Sequence, residues 1–221
     1  STPADNATAV ATDSNIVLTF SEAVDLESGI LGIYKASDNS VLTDTMQVTG
    51  SGTNQITINP GSDFADSTSY YVLIGASAFD DASGNSYAGI SDTTSLSFTT
   101  ADETAPTFSS AATNTAGTKV ILTYNEALSA TTAATSAFAV TTGGTSNSVT
   151  DATVSGSTVE LTLTNTVKND EAVTVAYTDP SGSDDANAIQ DSAGNDVVDL
   201  SSTSVTNNST VAGTPPTFSS A

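Results

Sequence analysis

The 221-residue chain contains no cysteine, no histidine and no tryptophan. Without cysteine it has no disulfides, no thiolate nucleophile and no cysteine-ligated zinc. Without histidine its many serine and threonine hydroxyls lack the commonest general base. Aromatic residues make up only 6% of the chain, too few to favour a sugar-binding platform. These absences argue against an enzyme, although paired carboxylates would in principle suffice for glycoside hydrolysis.

Positive charge is almost as scarce. The basic residues are Lys35, Lys119 and Lys168, set against 25 acidic residues, for a net charge of -22. Such a chain repels nucleic acid and anionic lipid surfaces, and it attracts cations. No apolar run approaches the roughly 20 residues of a membrane span, so we expect neither nucleic-acid binding nor membrane insertion. No signal peptide is recognisable, and we expect any targeting segment to lie outside this sequence.

Internal repetition is the most informative feature of what is present. The octapeptide TAPTFSSA at residues 104–111 recurs as TPPTFSSA at residues 214–221, a spacing of about one sandwich domain. Two further pairs keep their order in both halves: VLTFSEAV (17–24) with ILTYNEAL (121–128), and FDDASGN (79–85) with IQDSAGN (189–195). The sequence therefore predicts two related domains followed by the start of a third, cut from a longer array.

Short β-branched and alternating runs predict strands throughout. In the first half they cover residues 16–20, 29–35, 41–48, 55–58, 69–74 and 95–99. In the second they cover 118–124, 138–142, 148–154, 158–163 and 172–177, with a last strand within 197–205. Each half adds an opening strand near its proline. No segment predicts an amphipathic helix, although one helical turn is expected within 127–137.

The predicted fold class is all-β, with two tandem immunoglobulin-like antiparallel β-sandwich domains. We expect the first domain at residues 1–100, a linker at 101–105, the second domain at 106–211 and the start of the next repeat at 212–221. The strand residues predicted for the core are Phe20, Tyr71, Leu73, Phe98, Tyr124, Leu161, Val175 and Tyr177.

The motifs also resemble two known families. PAD (3–5), FSEAV (20–24), YYV (70–72), DASGN (81–85) and FTT (98–100) make the first half similar to the bacterial Ig-like domain named after the S-layer protein SbsA. YNEAL (124–128), YTDP (177–180) and IQDSAGN (189–195) make residues 104–210 resemble repeats of the cyanobacterial swimming-motility cell-surface protein family. The resemblance implies large secreted surface proteins, S-layers and adhesins, and it brings no catalytic residue.

Both halves carry an Asp-x-x-Gly-Asn segment, at residues 81–85 and 191–195. Glycine permits positive φ, and aspartate and asparagine side chains accept bonds from nearby backbone amides. A tight loop alone therefore explains the segment. A solvated acidic surface, with Glu22 and Glu126 bonded to amides of their own loops, is the corresponding structural interpretation.

Topology supplies a second interpretation, a cation site. Successive strands of an Ig-like sandwich alternate in direction, so the B–C, D–E and F–G loops meet at one pole. If 118–124 is strand B, Glu126 lies beside the B–C loop and 191–195 forms the F–G loop, at the same pole as the linker acids. The predicted metal ligands are Asp102 and Glu103 of the linker with Glu126, Asp191 and Asn195 of the second domain, and Glu22, Asp81 and Asn85 of the first domain.

Oxygen-only ligands on flexible loops favour Ca²⁺ over Mg²⁺, although neither segment has the spacing of an EF-hand. We therefore expect a structural spacer or stalk repeat of a large extracellular or cell-surface protein, of adhesin or S-layer type, stiffened by Ca²⁺ at its domain junctions. Its expected partners are neighbouring repeats or other copies of itself. A self-assembling filament or S-layer lattice subunit is the alternative, as is a ligand-binding adhesin module with a cell-surface or glycan partner.

Overall fold

The computed structural model describes residues 1–42, 46–182, 184–213 and 215. The chain divides into two compact units, Ser1–Glu103 and Thr104–Ala221. The repeat expected to start at 212–221 lies outside the described residues except for positions 212, 213 and 215. In the part of the chain described, no helix has the length and apolar character needed to cross a membrane.

The described residues of unit 1 form eight strands. They are β1 (Ala7–Val10), β2 (Ile16–Leu26), β3 (Leu31–Lys35), β4 (Gln47–Thr49), β5 (Thr53–Asn59), β6 (Ser69–Ile74), β7 (Phe79–Asp81) and β8 (Ser97–Thr100). One sheet has the order β4-β5-β2-β7 and the other β1-β8-β6-β3. All pairings are antiparallel except that of β1 with β8.

Side chains from both sheets of unit 1 share one apolar core, which makes the unit a sandwich. Ile16, Leu18, Ile56 and Ile58 come from one sheet, and Ile33, Tyr70, Val72 and Phe98 from the other. Phe64 covers one end of this core, with ring centroids 4.9 Å from Tyr70 and 5.1 Å from Phe98.

The alternation of β6 corrects one predicted core position, Leu73. Tyr70, Val72 and Ile74 face the core between the sheets, whereas Tyr71 and half-buried Leu73 lie on the opposite face of the strand. Tyr71 is buried as predicted, and its ring stacks on that of Tyr34 with the two centroids 5.3 Å apart. The prediction misplaced Leu73 because residues 70–74 are all apolar, and an unbroken apolar run does not indicate which face is inside.

β2 is longer than predicted. It was expected to end at Phe20, but it continues to Leu26 because its second half pairs with β7, Val24 opposite Asp81 and Leu26 opposite Phe79. The ladder between β2 and β5 is irregular from Thr19 to Val24, where the strand changes its main partner. Glu22, expected beside a loop, therefore lies exposed within a strand.

Unit 2 also has eight strands within the part of it that the structure describes. They are β9 (Phe108–Thr113), β10 (Lys119–Tyr124), β11 (Phe138–Thr142), β12 (Thr145–Ser146), β13 (Val149–Ser155), β14 (Thr158–Leu163), β15 (Val173–Tyr177) and β16 (Leu200–Val205). The sheets have the orders β13-β14-β10-β9 and β12-β11-β15-β16. A 3₁₀ turn at Thr135–Ala137 precedes β11, within the segment where one helical turn was predicted.

This order is that of an Ig-like sandwich, with β9, β10, β13 and β14 as strands A, B, D and E, and β11, β15 and β16 as strands C, F and G. The all-β, Ig-like fold class predicted from the sequence is confirmed. The segment between β15 and β16, residues 178–199, is accordingly the F–G connection, and it contains the second Asp-x-x-Gly-Asn loop.

The core of unit 2 continues into the F–G connection. Leu122 and Leu161 from one sheet meet Val175 and Tyr177 from the other, and Ile189 packs among them with no exposed surface. The Tyr177 hydroxyl accepts a hydrogen bond of 3.0 Å from the Ile189 backbone N–H. This bond fixes a long polar connection to the sandwich at Ile189, and Val197 of the same connection is also buried in the core.

Candidate functional site

Asp191 organises the loop that follows this buried point. Its Oδ1 accepts hydrogen bonds from the backbone N–H groups of Ala193 (2.7 Å), Gly194 (2.7 Å) and Asn195 (3.0 Å). Its Oδ2 accepts a bond of 2.7 Å from Asn195 Nδ2, and the side chain is only 2% exposed. Gly194 has a φ of 101°, as the Asp-x-x-Gly-Asn pattern predicts.

The loop of unit 1 repeats this arrangement at the surface. Asp81 Oδ1 accepts bonds of 2.8 Å from the N–H groups of Ser83 and Asn85, and Oδ2 accepts one of 2.8 Å from Asn85 Nδ2. The bonds from the Asn85 side chain and backbone lower the pKa of the Asp81 carboxyl below its ordinary value, against a smaller opposing effect of burial. Asn85 is exposed, whereas Asn195 is half-buried.

The predicted glutamates lie close to these loops. In unit 1 a surface cleft of about 200 Å³ is lined by Glu22, Asp81 and Asn85, among others. In unit 2 Leu128 pairs with Asp191 in a short bridge, and a carboxylate oxygen of Glu126 lies within 4.8 Å of one of Asp191. Within each unit the structure therefore brings the predicted glutamate to the predicted loop.

Glu103, predicted from the linker, makes its described contacts within unit 1. Its Oε2 accepts a bond of 3.2 Å from Thr12 Oγ1, and its backbone N–H donates to Asp66 Oδ1 at 2.9 Å. Asp102 and Glu103 as ligands of a junction site stay a prediction.

The number of carboxylate lone pairs left unoccupied limits how each loop could bind a cation. A carboxylate has about four lone-pair positions. Three donors occupy Oδ1 of Asp191, so Oδ2 alone retains room for a further partner. A cation beside this loop would therefore rely on Asp191 Oδ2 and on Glu126. The loop hydrogen bonds explain the Asp-x-x-Gly-Asn segment by themselves, and they leave one position open to a metal.

Sequence analysis missed a second group of acids in the F–G connection. Asp179, Asp185 and Asp196 each place a carboxylate oxygen within 4.8 Å of the other two. The sequence did offer one signal, the high frequency of aspartate in residues 178–199. These aspartates are Asp179, Asp184, Asp185, Asp191, Asp196 and Asp199. Backbone turns determine which of these carboxylates lie close together, and the frequency of aspartate in the sequence does not reveal those turns.

Asp92 shows how strongly such turns shift an exposed carboxyl, and it supplies a direct test. The Ser95 hydroxyl, followed by the backbone and hydroxyl of Thr94, lowers its pKa from 3.8 to about 2. Because the pKa is depressed, the stabilising effect should be complete above pH 3.8 and lost as the pH falls towards 2. Carboxyl ¹³C NMR across the acidic range measures the pKa directly.

The variant Ser95→Ala should raise the Asp92 pKa towards the ordinary value, because it removes the largest contribution. Ser91→Ala is the matched control, since it removes a neighbouring hydroxyl that no described bond joins to Asp92. Equal Asp92 pKa values in the two variants would contradict this account.

Comparison with known families agrees with the two-part architecture. Residues 1–100 match the model of a family described as a bacterial Ig-like domain. Residues 101–182 match the SWM repeat, described as "Putative flagellar system-associated repeat". The two-part architecture expected from the motifs is thus confirmed, while the SbsA type stays a prediction. No curated protein matches the chain.

Solved structures similar to the chain are tandem Ig domains. The titin tandem A164-A165 is 8% identical, with 93% of this chain and 94% of that one covered and a TM-score of 0.33. Titin A168169 is 14% identical, with 91% and 94% covered and a TM-score of 0.32. Tandem Ig repeats of Dlar are 8% identical, with 92% and 94% covered and a TM-score of 0.19. These similarities carry no argument about function.

Proposed function

We propose that this chain is a structural spacer of a large secreted cell-surface protein, of adhesin or S-layer type, and that Ca²⁺ stiffens it. The observation that carries the proposal is the repeated pairing of a glutamate with an Asp-x-x-Gly-Asn loop, once in each of two successive Ig-like units. The family matches to a bacterial Ig-like domain and to a repeat support a structural rather than a catalytic role.

The surface composition also supports an extracellular setting. The net charge of -22 leaves the chain dependent on cations to offset its self-repulsion. Lys119 already forms an ion pair with Glu160, with 2.6 Å between Nζ and Oε2. Millimolar Ca²⁺, which is available outside cells, suits carboxylate and amide oxygens on loops. The proposed ligands are Glu22, Asp81 and Asn85 at the loop of unit 1, Glu126, Asp191 and Asn195 at the loop of unit 2, and Asp102 and Glu103 at the end of unit 1.

Calcium should raise the melting temperature of the intact chain. Extracellular modules bind Ca²⁺ with dissociation constants of about 10⁻⁴–10⁻³ M, so 10 mM ion would contribute about 1–3 kcal/mol. The corresponding rise is about 5 °C or more for units of this size. Differential scanning calorimetry with Ca²⁺, with chelator, and with sodium chloride at matched ionic strength measures it. A melting temperature indifferent to both Ca²⁺ and chelator would rule the calcium role out.

Two variants test whether the rise in melting temperature comes from the proposed site in unit 2. Glu126→Gln should reduce the calcium response of unit 2, because it deletes a charge beside Asp191 while keeping the side-chain shape. Asp151→Asn, at an exposed position of β13, removes one charge from the same unit away from the loop and is the matched control. If both variants respond alike, general screening of charge and not a site accounts for the stabilisation.

The junction ligands have their own test. ¹⁵N relaxation gives a rotational correlation time for each unit, and Ca²⁺ bound by Asp102 or Glu103 together with Glu126 should bring the two times together. Asp102→Asn should abolish that convergence and leave the loop of unit 1 unaffected. Separate correlation times that do not change with Ca²⁺ would contradict a calcium-stiffened junction.

A further inference from the structure

The F–G connection of unit 2 gathers three carboxylates that lie outside the loops considered above. Asp179 follows β15, Asp185 lies midway along the connection, and Asp196 follows the Asp-x-x-Gly-Asn loop. One oxygen from each lies within 4.8 Å of the other two. Two oxygens bound to one Ca²⁺ at 2.3–2.6 Å are at most about 5 Å apart, so this group has the dimensions of a shared ion.

Backbone hydrogen bonds hold the three residues in place. The Asp185 N–H donates to Asp196 Oδ2 at 2.8 Å, which joins two of them directly. The Asp179 N–H donates to Asp199 Oδ1 at 2.7 Å, and the Asp196 N–H donates to Asp184 Oδ1 at 3.2 Å. The carboxylates therefore face one another because the surrounding turns fix them there.

Asp196 supplies an independent indication of a ligand. Its side chain is only 9% exposed, and its Oδ1 is buried without a hydrogen-bond partner among the described residues. A buried acceptor left unpaired is costly, and more so when it is charged. Burial raises the pKa of the Asp196 carboxyl, and repulsion from Asp179, Asp184 and Asp185 raises it further, against one backbone hydrogen bond from Asp185.

The other two carboxylates keep oxygen positions for an ion. Asp185 Oδ2 accepts a bond from the Ser181 hydroxyl, and Oδ1 accepts one of 2.6 Å from the Asn187 N–H. Asp179 Oδ1 accepts a bond of 3.1 Å from the Ser181 N–H. Asp179 also lines a surface cleft of about 570 Å³, so this ligand is open to solvent on one side.

We propose that Asp179, Asp185 and Asp196 bind a Ca²⁺ ion within unit 2, in a site separate from the Glu126–Asp191 loop and independent of the function proposed above. Three carboxylates supply the negative charge that a hard divalent cation requires, and turns of this connection suit the irregular coordination of Ca²⁺ better than the strict octahedron of Mg²⁺. The ion supplies a counter-charge at Asp196, whose Oδ1 is buried without a described partner, and offsets the repulsion among the three carboxylates.

The test uses the full chain and Ca²⁺ alone as the probe. Isothermal titration calorimetry should show that Asp196→Asn weakens one calcium-binding event at least tenfold, because it removes a charge but retains an acceptor for the Asp185 N–H. Asp179→Asn should do the same, and it serves as a second variant at a less buried position. Asp151→Asn should bind as the unchanged chain does. If Asp196→Asn and Asp179→Asn both bind calcium with unaltered affinity, the proposal is overturned.

NMR separates this site from the one in the proposed function. In the Glu126→Gln variant, Ca²⁺ should still shift the backbone amides of Asp185 and Asp196, whereas in Asp196→Asn those shifts should be lost. If the calcium-induced shifts of these amides persist in Asp196→Asn and vanish in Glu126→Gln, the ion lies at the Glu126–Asp191 loop. That result would overturn the site proposed here and leave the function proposed above standing. The absence of Asp185 and Asp196 shifts in the unchanged chain at 10 mM Ca²⁺, a concentration about ten times the weak end of the extracellular range, would overturn it as well.

Discussion

Replacing Tyr177 with alanine should lower the free energy of unfolding of unit 2 by about 3–5 kcal/mol, the range for a large buried aromatic side chain. Tyr177 is only 1% exposed, and its ring centroid lies 5.4 Å from that of Phe138. Its hydroxyl also accepts the Ile189 N–H, so the substitution opens a cavity and releases the F–G connection. Urea unfolding followed by two-dimensional NMR measures the loss for each unit separately.

Two tyrosine-to-phenylalanine variants divide this effect into its parts. Tyr177→Phe keeps the ring but leaves the buried Ile189 N–H without its acceptor, which should cost about 1–3 kcal/mol. Tyr124→Phe is the matched control, because the Tyr124 hydroxyl is buried without a described partner. Burial raises the pKa of Tyr124, and it raises that of Tyr177 to about 12 even though the hydrogen bond from Ile189 acts in the opposite direction.

Tyr124→Phe should therefore be neutral or stabilise unit 2 by up to about 1 kcal/mol, since it removes a polar group that gains nothing from burial. Equal losses in Tyr124→Phe and Tyr177→Phe would show that the hydroxyl of Tyr177 does not anchor the F–G connection. A larger loss in Tyr177→Phe than in Tyr124→Phe would show that the hydrogen bond from Ile189 to Tyr177 helps to anchor the acidic connection.

The strands of this protein were readable from its sequence wherever polar and apolar residues alternate. β14 and β11 have the predicted bounds because one face of each enters the core and the other meets solvent. β7 was not predicted, because Phe79–Asp81 is three residues long and lies in a segment whose Asp and Gly residues indicate a loop. Its strand character comes from pairing with β2, a tertiary contact that no local pattern encodes.

The candidate site was predictable only in part, because fold topology places whole loops near one another. Topology alone placed Glu126 near Asp191, since the B–C and F–G loops of an Ig-like sandwich meet at one pole. Asp179, Asp185 and Asp196 share a single connection, and their convergence depends on bonds such as that from the Asp185 N–H to Asp196. Fold-level rules place loops, but they do not place side chains within a loop.

Asp191→Ala should be the second strongly destabilising change, and it decides between the two interpretations of the Asp-x-x-Gly-Asn loop. The substitution removes the acceptor of three backbone N–H groups and of Asn195 Nδ2 in a loop whose aspartate is 2% exposed. Removing a buried acceptor that is shared by four partly buried or exposed donors should cost about 3 kcal/mol of the unfolding free energy of unit 2.

Asp81→Ala in unit 1 is the internal control, because the same pattern of bonds lies there in an exposed loop. Donors released at the surface turn to water, so the loss in unit 1 should be clearly smaller than that in unit 2. Urea unfolding of both variants in the presence of chelator isolates the hydrogen bonds from any metal contribution.

The dependence on calcium then assigns the role of the carboxylate. If Asp191 acts through its own loop, the loss in Asp191→Ala is the same with chelator and with 10 mM Ca²⁺. If Oδ2 also binds the ion, the loss grows with Ca²⁺ by the further 1–3 kcal/mol or so expected for a weak extracellular site. A loss that appears only with Ca²⁺ would show that the loop hydrogen bonds contribute little. Because Oδ1 already accepts three bonds, we expect the larger part of the effect to persist in chelator.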